Sequence, residues 1–101
     1  MNTAQSIEHT MTDTKKHDLV RGNFSPEDAL EIINHLIAEK INFHEMRSFS
    51  SKIRFGEVDQ NSEVRIKELK QSKASINVLI SNAKEQGKTL KIESTISVEL
   101  I

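Results

Sequence analysis

Two segments with helical spacing, separated by a glycine-containing turn, constrain the fold of this chain more than any other feature. In the second segment, apolar residues recur every three or four positions, as they do on one face of an α-helix. This stripe consists of Ile66, Leu69, Ile76, Ile80 and Ala83, with Lys73 at its one interrupted position. The spacing is typical of a short coiled-coil seam, and it predicts a helix over residues 61–86 that ends at Gly87.

The first segment opens with residues that commonly start helices. Ser25 is a good N-cap, and Pro26 suits the first helical position. An apolar stripe follows at helical spacing and consists of Leu30, Ile33, Ile37, Ile41 and His44. Gly56 lies in the connecting stretch FGEVDQNS, where it favours the end of the first helix. Two long helices joined by a short turn predict an antiparallel hairpin.

The helical phase of the apolar residues changes near the end of the first helix. Met46, Phe49 and Ile53 fall on the side that carries polar residues further upstream. Three structures would explain the change: a kink or break around residues 44–48, a second neighbour such as another subunit, or a short strand over residues 52–55. We favour a helix that continues to about residue 54.

The C-terminal stretch LKIESTISVELI alternates apolar and polar side chains. This period of two predicts a half-buried β-strand of about 40 Å, at roughly 3.3 Å per residue. Within the chain, only residues 18–24 and 52–58 could pair with it, and both segments are shorter. Because a long unpaired edge invites another chain, we expect the strands of two subunits to pair. The apolar side of this dimer strand consists of Leu90, Ile92, Ile96, Val98 and Leu100.

These patterns together predict a mainly α fold of the α+β class. It consists of an antiparallel two-helix hairpin, with room for a kink in the first helix, and a long C-terminal strand that pairs between subunits. Residues 1–18 hold few apolar side chains and are predicted to form a disordered tail. Residues 19–101 are predicted to form a single domain. We expect a homodimer or a higher even oligomer.

Composition narrows the classes of function. The chain has no cysteine, which excludes disulfides, thiolate catalysis and zinc–thiolate sites. Its 14 basic and 15 acidic residues create no global field for nucleic acid or anionic lipid. No hydrolase, metalloprotease or dinucleotide-binding motif occurs, so we expect no enzymatic activity, no cofactor and no metal. No signal peptide or membrane span is apparent, and the cytoplasm is the expected location.

Apolar residues near the hairpin tip suggest a function in protein–protein contact. The expected partner-binding residues are Phe43, Met46, Phe49, Ile53 and Phe55. They could form the core of the bend, but a hairpin tip offers few neighbours, and exposed apolar clusters mark contact surfaces. The sequence thus favours a small interaction or scaffold protein of unknown pathway that self-associates and binds a protein partner.

The alternative function is a dimeric regulator that binds nucleic acid through its second helix. Four basic residues beside the apolar stripe could contact phosphates, namely Arg65, Lys70, Lys73 and Lys84. The nearly neutral charge argues against this alternative, and lysine stems commonly cover apolar surface beside a helical seam. On the first helix, Glu31, His35 and Glu39 are spaced four apart, which indicates a solvated face more often than a metal site.

Overall fold

The computed structural model describes residues 14–101, which form two strands and two helices. In chain order these are β1 (Thr14–Phe24), α1 (Pro26–Phe55), α2 (Gln60–Gln86) and β2 (Leu90–Glu99). The helices make up most of the described chain, and the strands form one two-stranded antiparallel sheet. The mainly α fold, with two helices followed by a C-terminal strand, is therefore confirmed.

The start of α1 matches the prediction from its sequence. Ser25 has an extended backbone, and its side-chain oxygen accepts a hydrogen bond from the Asp28 amide at 3.1 Å. This bond satisfies one of the amide groups that have no partner within the first turn of a helix. Glu27 and Asp28 place negative charge at the positive end of the helix dipole.

The end of α1 resolves the question raised by the change of phase. Residues 46–55 are helical, and α1 is uninterrupted, so neither a break nor a short strand occurs there. Gly56 closes the helix in the left-handed conformation, with φ at 78°, and its amide donates to the Lys52 carbonyl at 2.8 Å. Glycine adopts this conformation without the steric cost that a Cβ would impose.

The helix α2 follows after a short turn and also ends at a glycine. Asp59 is its N-cap by backbone conformation, although its carboxylate makes no capping bond. Gly87 is left-handed, with φ at 65°, and the following amide of Lys88 donates to the Ala83 carbonyl at 2.9 Å. The predicted end of this helix at Gly87 is confirmed.

Contacts near both ends of the hairpin define its register. At the open end, Lys84 Nζ lies 3.8 Å from Glu27 Oε2. Near the turn, the Ser48 hydroxyl donates to Glu63 Oε2 at 2.5 Å. The two helices therefore run antiparallel with a single seam between them.

The seam buries few large side chains. Among the described residues, the buried hydrophobic side chains are Ala29, Ile80 and Ala83, and the buried polar ones are Ser48 and Ser62. The other seam residues are half-buried, namely Ile33, Ile37, Ile41, His44, Ile66, Leu69, Lys73 and Ile76. The two predicted stripes thus face inward except at Leu30, which is 40% exposed, and the hairpin of one copy has a thin core.

The pairing of β2 differs from the expectation. β2 pairs with β1 of the same chain. β1 begins at Thr14 and has 11 residues, which is long enough to match the 10 residues of β2. The expectation that the chain lacks a partner of sufficient length is therefore wrong, and the last five residues of the predicted tail over 1–18 belong to β1. The remainder of that tail lies outside the described residues.

The chain divides into two compact units. One is the strand ribbon of residues 14–23 and Lys91–Ile101, and the other is the hairpin of Phe24–Leu90. Across the ribbon, the Thr95 hydroxyl donates to Asp18 Oδ1 at 3.3 Å. The single domain over residues 19–101 stays a prediction.

The cap of α1 leads to a direct test of stability. We expect Ser25→Ala to lower the free energy of unfolding by about 1 kcal/mol, because the Asp28 amide loses its acceptor. Ser75→Ala, at an exposed position inside α2, is the matched control and should leave stability unchanged or slightly higher. Urea denaturation at one fixed protein concentration measures both; equal losses in the two variants would contradict the capping role.

Candidate interaction site

The apolar residues predicted to bind a partner form an exposed cluster toward the hairpin tip. The tip cluster consists of Phe43, Met46, Phe49, Ile53 and Phe55, whose exposed fractions lie between 51% and 76%. The core of the bend does not contain them. Phe43 has two close neighbours on its own helix: the His44 ring at 5.2 Å between centroids and Lys40 Nζ at 5.0 Å from its centroid. The remaining surface of the cluster faces water.

Part of the tip cluster belongs to a longer row on the side of α1 that faces away from α2. The spacing of this row alternates between three and four residues, as in a coiled-coil seam. We call it the outer stripe, and it consists of Leu36, Glu39, Phe43, Met46, Ser50 and Ile53. All of these residues are exposed except Leu36, which is half-buried. α1 therefore carries coiled-coil spacing on two nearly opposite faces, only one of which meets α2.

An open cavity of about 480 Å³ lies beside the N-terminal end of the outer stripe. Its lining combines apolar side chains with acidic ones, namely Phe24, Asp28, Glu31, Ile32, His35 and Leu36. A cavity lined by both apolar side chains and carboxylates suits an aliphatic side chain that comes with positive charge nearby. This cavity contains two of the three residues considered as metal ligands, Glu31 and His35. Within residues 14–101, no group of three or more acidic or histidine side chains is placed to hold a metal ion.

Beneath the tip cluster, the seam is polar. The Ser62 hydroxyl donates to Asp59 Oδ2 at 2.6 Å, and His44 Nδ1 lies 3.3 Å from the Ser62 oxygen. Since the single hydroxyl hydrogen is used toward Asp59, the Ser62 oxygen accepts from His44 Nδ1–H. Arg47 Nε lies 3.7 Å from the same Asp59 oxygen. Ser48 adds its bond to Glu63.

This network contains serine, histidine and aspartate, but their order does not suit nucleophilic catalysis. In a catalytic triad, the histidine accepts the serine proton, and the acid orients the histidine. Here the Ser62 hydroxyl donates its hydrogen bond to Asp59 and not to His44, and Ser62 is buried between the helices. The arrangement holds the tip of the hairpin together.

Burial affects the titration of His44. Its Nε2 atom is enclosed and has no hydrogen-bond partner among the described residues. This desolvation lowers the pKa of His44 below 6.5, and repulsion from Lys40, Arg65 and Arg47 lowers it further, while Asp59 acts in the opposite direction. The folded hairpin therefore favours the neutral imidazole.

Two asparagines extend the polar part of the seam away from the tip. Asn34 on α1 and Asn77 on α2 are half-buried, and the side-chain oxygen of each is enclosed with no hydrogen-bond partner in the part of the chain that the structure describes. The hairpin register places them opposite each other. Polar side chains at opposite positions of the seam favour one register over shifted ones, since a shift would bury each against aliphatic neighbours.

Sequence reasoning did not identify Ser48 or Ser62 as seam residues. A signal was present, because Ser48 follows His44 by four positions and Ser62 precedes Ile66 by four. The seam keeps its phase through the tip, but it does so with small polar side chains.

The apolar side of β2 is only partly covered. Leu90 and Ile92 are half-buried. Further along, Ile96, Val98 and Leu100 are 45% to 75% exposed. β2 has one edge paired with β1, and the described residues contain no strand on its other edge.

The four basic residues of the nucleic-acid alternative do not form one free patch. Arg65 Nη1 lies 2.7 Å from Glu68 Oε1, and Lys84 pairs with Glu27. Lys73 is half-buried at its seam position, and Lys70 is exposed. Two of the four charges are thus balanced by neighbouring carboxylates.

Comparison of the chain with protein families, curated proteins and solved structures finds no match. Over residues 14–101, neither helix is long and apolar enough to cross a membrane. The interaction surface therefore has to be interpreted from its own geometry.

The polar seam makes the stability of the hairpin depend on pH. The unfolded chain binds a proton at His44 more readily than the folded chain does, so stability is complete above pH 6.5 and decreases as the pH falls below it. We expect the urea midpoint to drop between pH 7.5 and pH 5.5, and to drop less in His44→Gln. His35→Gln, at an exposed position, should keep the wild-type drop. Equal drops in all three proteins would exclude His44 as the cause.

Proposed function

We propose that this protein is a small, non-catalytic interaction protein that acts by self-association. The observation that carries the proposal is the location of its apolar side chains. Over residues 14–101, the buried apolar side chains are two alanines and one isoleucine, whereas the tip cluster is exposed. Burying one large apolar side chain contributes about 1.5–3 kcal/mol. Covering the tip cluster would therefore supply stability that the thin seam lacks.

The tip cluster is the proposed protein-binding surface. Large exposed apolar patches on small proteins mark contact sites more often than they occur without function. The cluster also has the residue types that dominate interface energetics, with three aromatic rings and one methionine. Its flexible methionine adapts to the shape of a partner.

The free edge of β2 is a second proposed contact. A two-stranded ribbon by itself is marginally stable in water, and an unpaired edge can add a strand from another chain. Exposed Ile96 and Val98 would gain cover from such pairing. Antiparallel pairing of β2 with its own copy would extend two ribbons into one four-stranded sheet, an isologous contact.

Self-association has a simple test. We expect sedimentation equilibrium at micromolar concentration to give an even multiple of the 11.5 kDa chain mass. A mass of one chain throughout that range would contradict the proposal. DNA binding that weakens with salt and is lost in Lys70→Glu would instead support the nucleic-acid alternative.

The strand contact is tested separately. We expect the double substitution Ile96→Lys and Val98→Lys to weaken assembly, because charged side chains protect strand edges from pairing. Lys91→Glu, on the alternate side of β2, is the control for a change of charge alone. An unchanged oligomer mass in the double variant would show that β2 does not pair between subunits.

A further inference from the structure

We infer that a second copy of this chain covers the outer stripe, in an antiparallel pairing of the two α1 helices about a two-fold axis at the level of residues 44 and 45. The inference rests on the proposed self-association and identifies the partner of the tip cluster. The resulting contact would join two hairpins into a single layer of four helices, with the two α1 helices side by side at its centre.

The apolar positions of the outer stripe are arranged symmetrically along α1. In antiparallel coiled coils, each a position packs beside a d position of the other helix. With the axis at residues 44 and 45, Phe43 lies opposite the second copy's Met46, and Leu36 lies opposite its Ile53. Each of the two pairs occurs twice in the dimer, so the four apolar residues of each chain form four apolar layers between the helices. Leu36 and Ile53 are equally distant from the axis, as are Phe43 and Met46.

The polar positions follow the same symmetry. Glu39 and Ser50 are the two polar members of the outer stripe, and they too are equally distant from the axis. Antiparallel pairing therefore places Glu39 opposite the second copy's Ser50, whose hydroxyl can donate to the carboxylate. No apolar layer meets a polar residue in this register.

Other pairings lack this match. A parallel pair would place Glu39 beside its own copy in the seam, where two like charges repel at short range. An antiparallel pair shifted by one heptad in one direction would put Phe43 opposite Glu39 and would bury a carboxylate against a ring without a donor. The shift in the other direction would put Met46 opposite Ser50 and would leave Leu36 opposite residue 60, beyond the end of α1. The polarity of the stripe thus selects one direction and one register.

Charge at the two ends of α1 supports the same direction. Its first turn carries Glu27 and Asp28, and its last turn carries Lys52 and Arg54. With the axis at residues 44 and 45, antiparallel pairing places Lys52 and Arg54 at the level of residues 37 and 35 of the second copy, one to two helical turns from Glu31 and Asp28, and the helix dipoles are opposed. A parallel pair would place acidic beside acidic and basic beside basic.

The open cavity of about 480 Å³ has a matching occupant in this arrangement. Leu36 lines the cavity, and the second copy's Ile53 lies opposite Leu36. Ile53 is 69% exposed, so it is free to enter. The neighbouring Arg54 of that copy brings positive charge toward a cavity lined in part by Asp28 and Glu31.

Because the chain contains no cysteine, single-cysteine variants can test the pairing directly. Glu39→Cys and Ser50→Cys alter only the polar layer. We expect a short thiol-specific cross-linker to join the two variants in an equimolar mixture but neither variant alone. In the antiparallel register, each cysteine lies about 16 Å from its own copy, at 1.5 Å per residue. Efficient cross-linking of either variant alone would indicate a parallel pair and overturn the inference.

The apolar layers provide a second test with a matched control. We expect Phe43→Ser to weaken self-association by about 100-fold or more, because each dimer loses two aromatic contacts. Val78→Ser removes another exposed apolar side chain, from the outer side of α2 and away from the contact. Its dissociation constant should stay within about twofold of the wild-type value. Equal effects of the two substitutions would contradict the inference.

The two experiments separate this inference from the proposed function. A chain that remains a monomer in sedimentation contradicts both. A chain that self-associates, but whose Glu39→Cys and Ser50→Cys mixture gives no mixed cross-link, contradicts only the pairing through α1. Self-association that is lost in the β2 double variant and kept in Phe43→Ser would assign assembly to the strand edge instead.

Discussion

Two helices share only one seam, and this limit determines most of what the structure shows. A hairpin can bury one stripe on each helix, so apolar side chains on any other face stay in water. Here the seam contains alanine, serine, asparagine and histidine besides its aliphatic residues, while several of the largest apolar side chains lie outside it. The imbalance between a thin seam and a large exposed surface is the physical reason to expect a further chain on α1.

The sequence predicted the helices well because their signals are local. The cap at Ser25 and the glycines at 56 and 87 act through neighbouring backbone groups. The change of apolar phase after His44 was harder to interpret, since both a break and a second contact face would produce it. The structure shows that the seam continues through Ser48 and Ser62, and that the apolar residues have moved to the outside. When small polar residues occupy seam positions, the pattern of hydrophobic side chains alone does not reveal that the seam continues.

The strands were predicted less completely than the helices. β2 was evident from its alternation, and residues 18–24 were recognised as one possible partner. The full length of β1 was not evident, because its first residues read TKKHD and bury almost nothing. An edge strand in a two-stranded ribbon needs backbone hydrogen bonds more than apolar side chains, so composition does not reveal it. Thr14 to Asp18 are exposed in the structure, which is why a solvated tail and a strand look alike in the sequence.

At the tip of the hairpin, polar side chains lie inside and apolar side chains lie outside. This arrangement links folding to assembly. Toward the turn, Ser48, Ser62 and His44 lie inside, while Met46 and Phe49 lie outside. Hydrogen bonds of this kind contribute about 0.5–1.5 kcal/mol each, less than burial of one large apolar side chain. The tip of an isolated hairpin would therefore be its least stable part, and contact along the outer stripe would stabilise it from the apolar side. Protonation of His44 at low pH weakens the contacts inside the tip. Pairing of the α1 helices should therefore favour neutral His44, and neutral His44 should favour pairing.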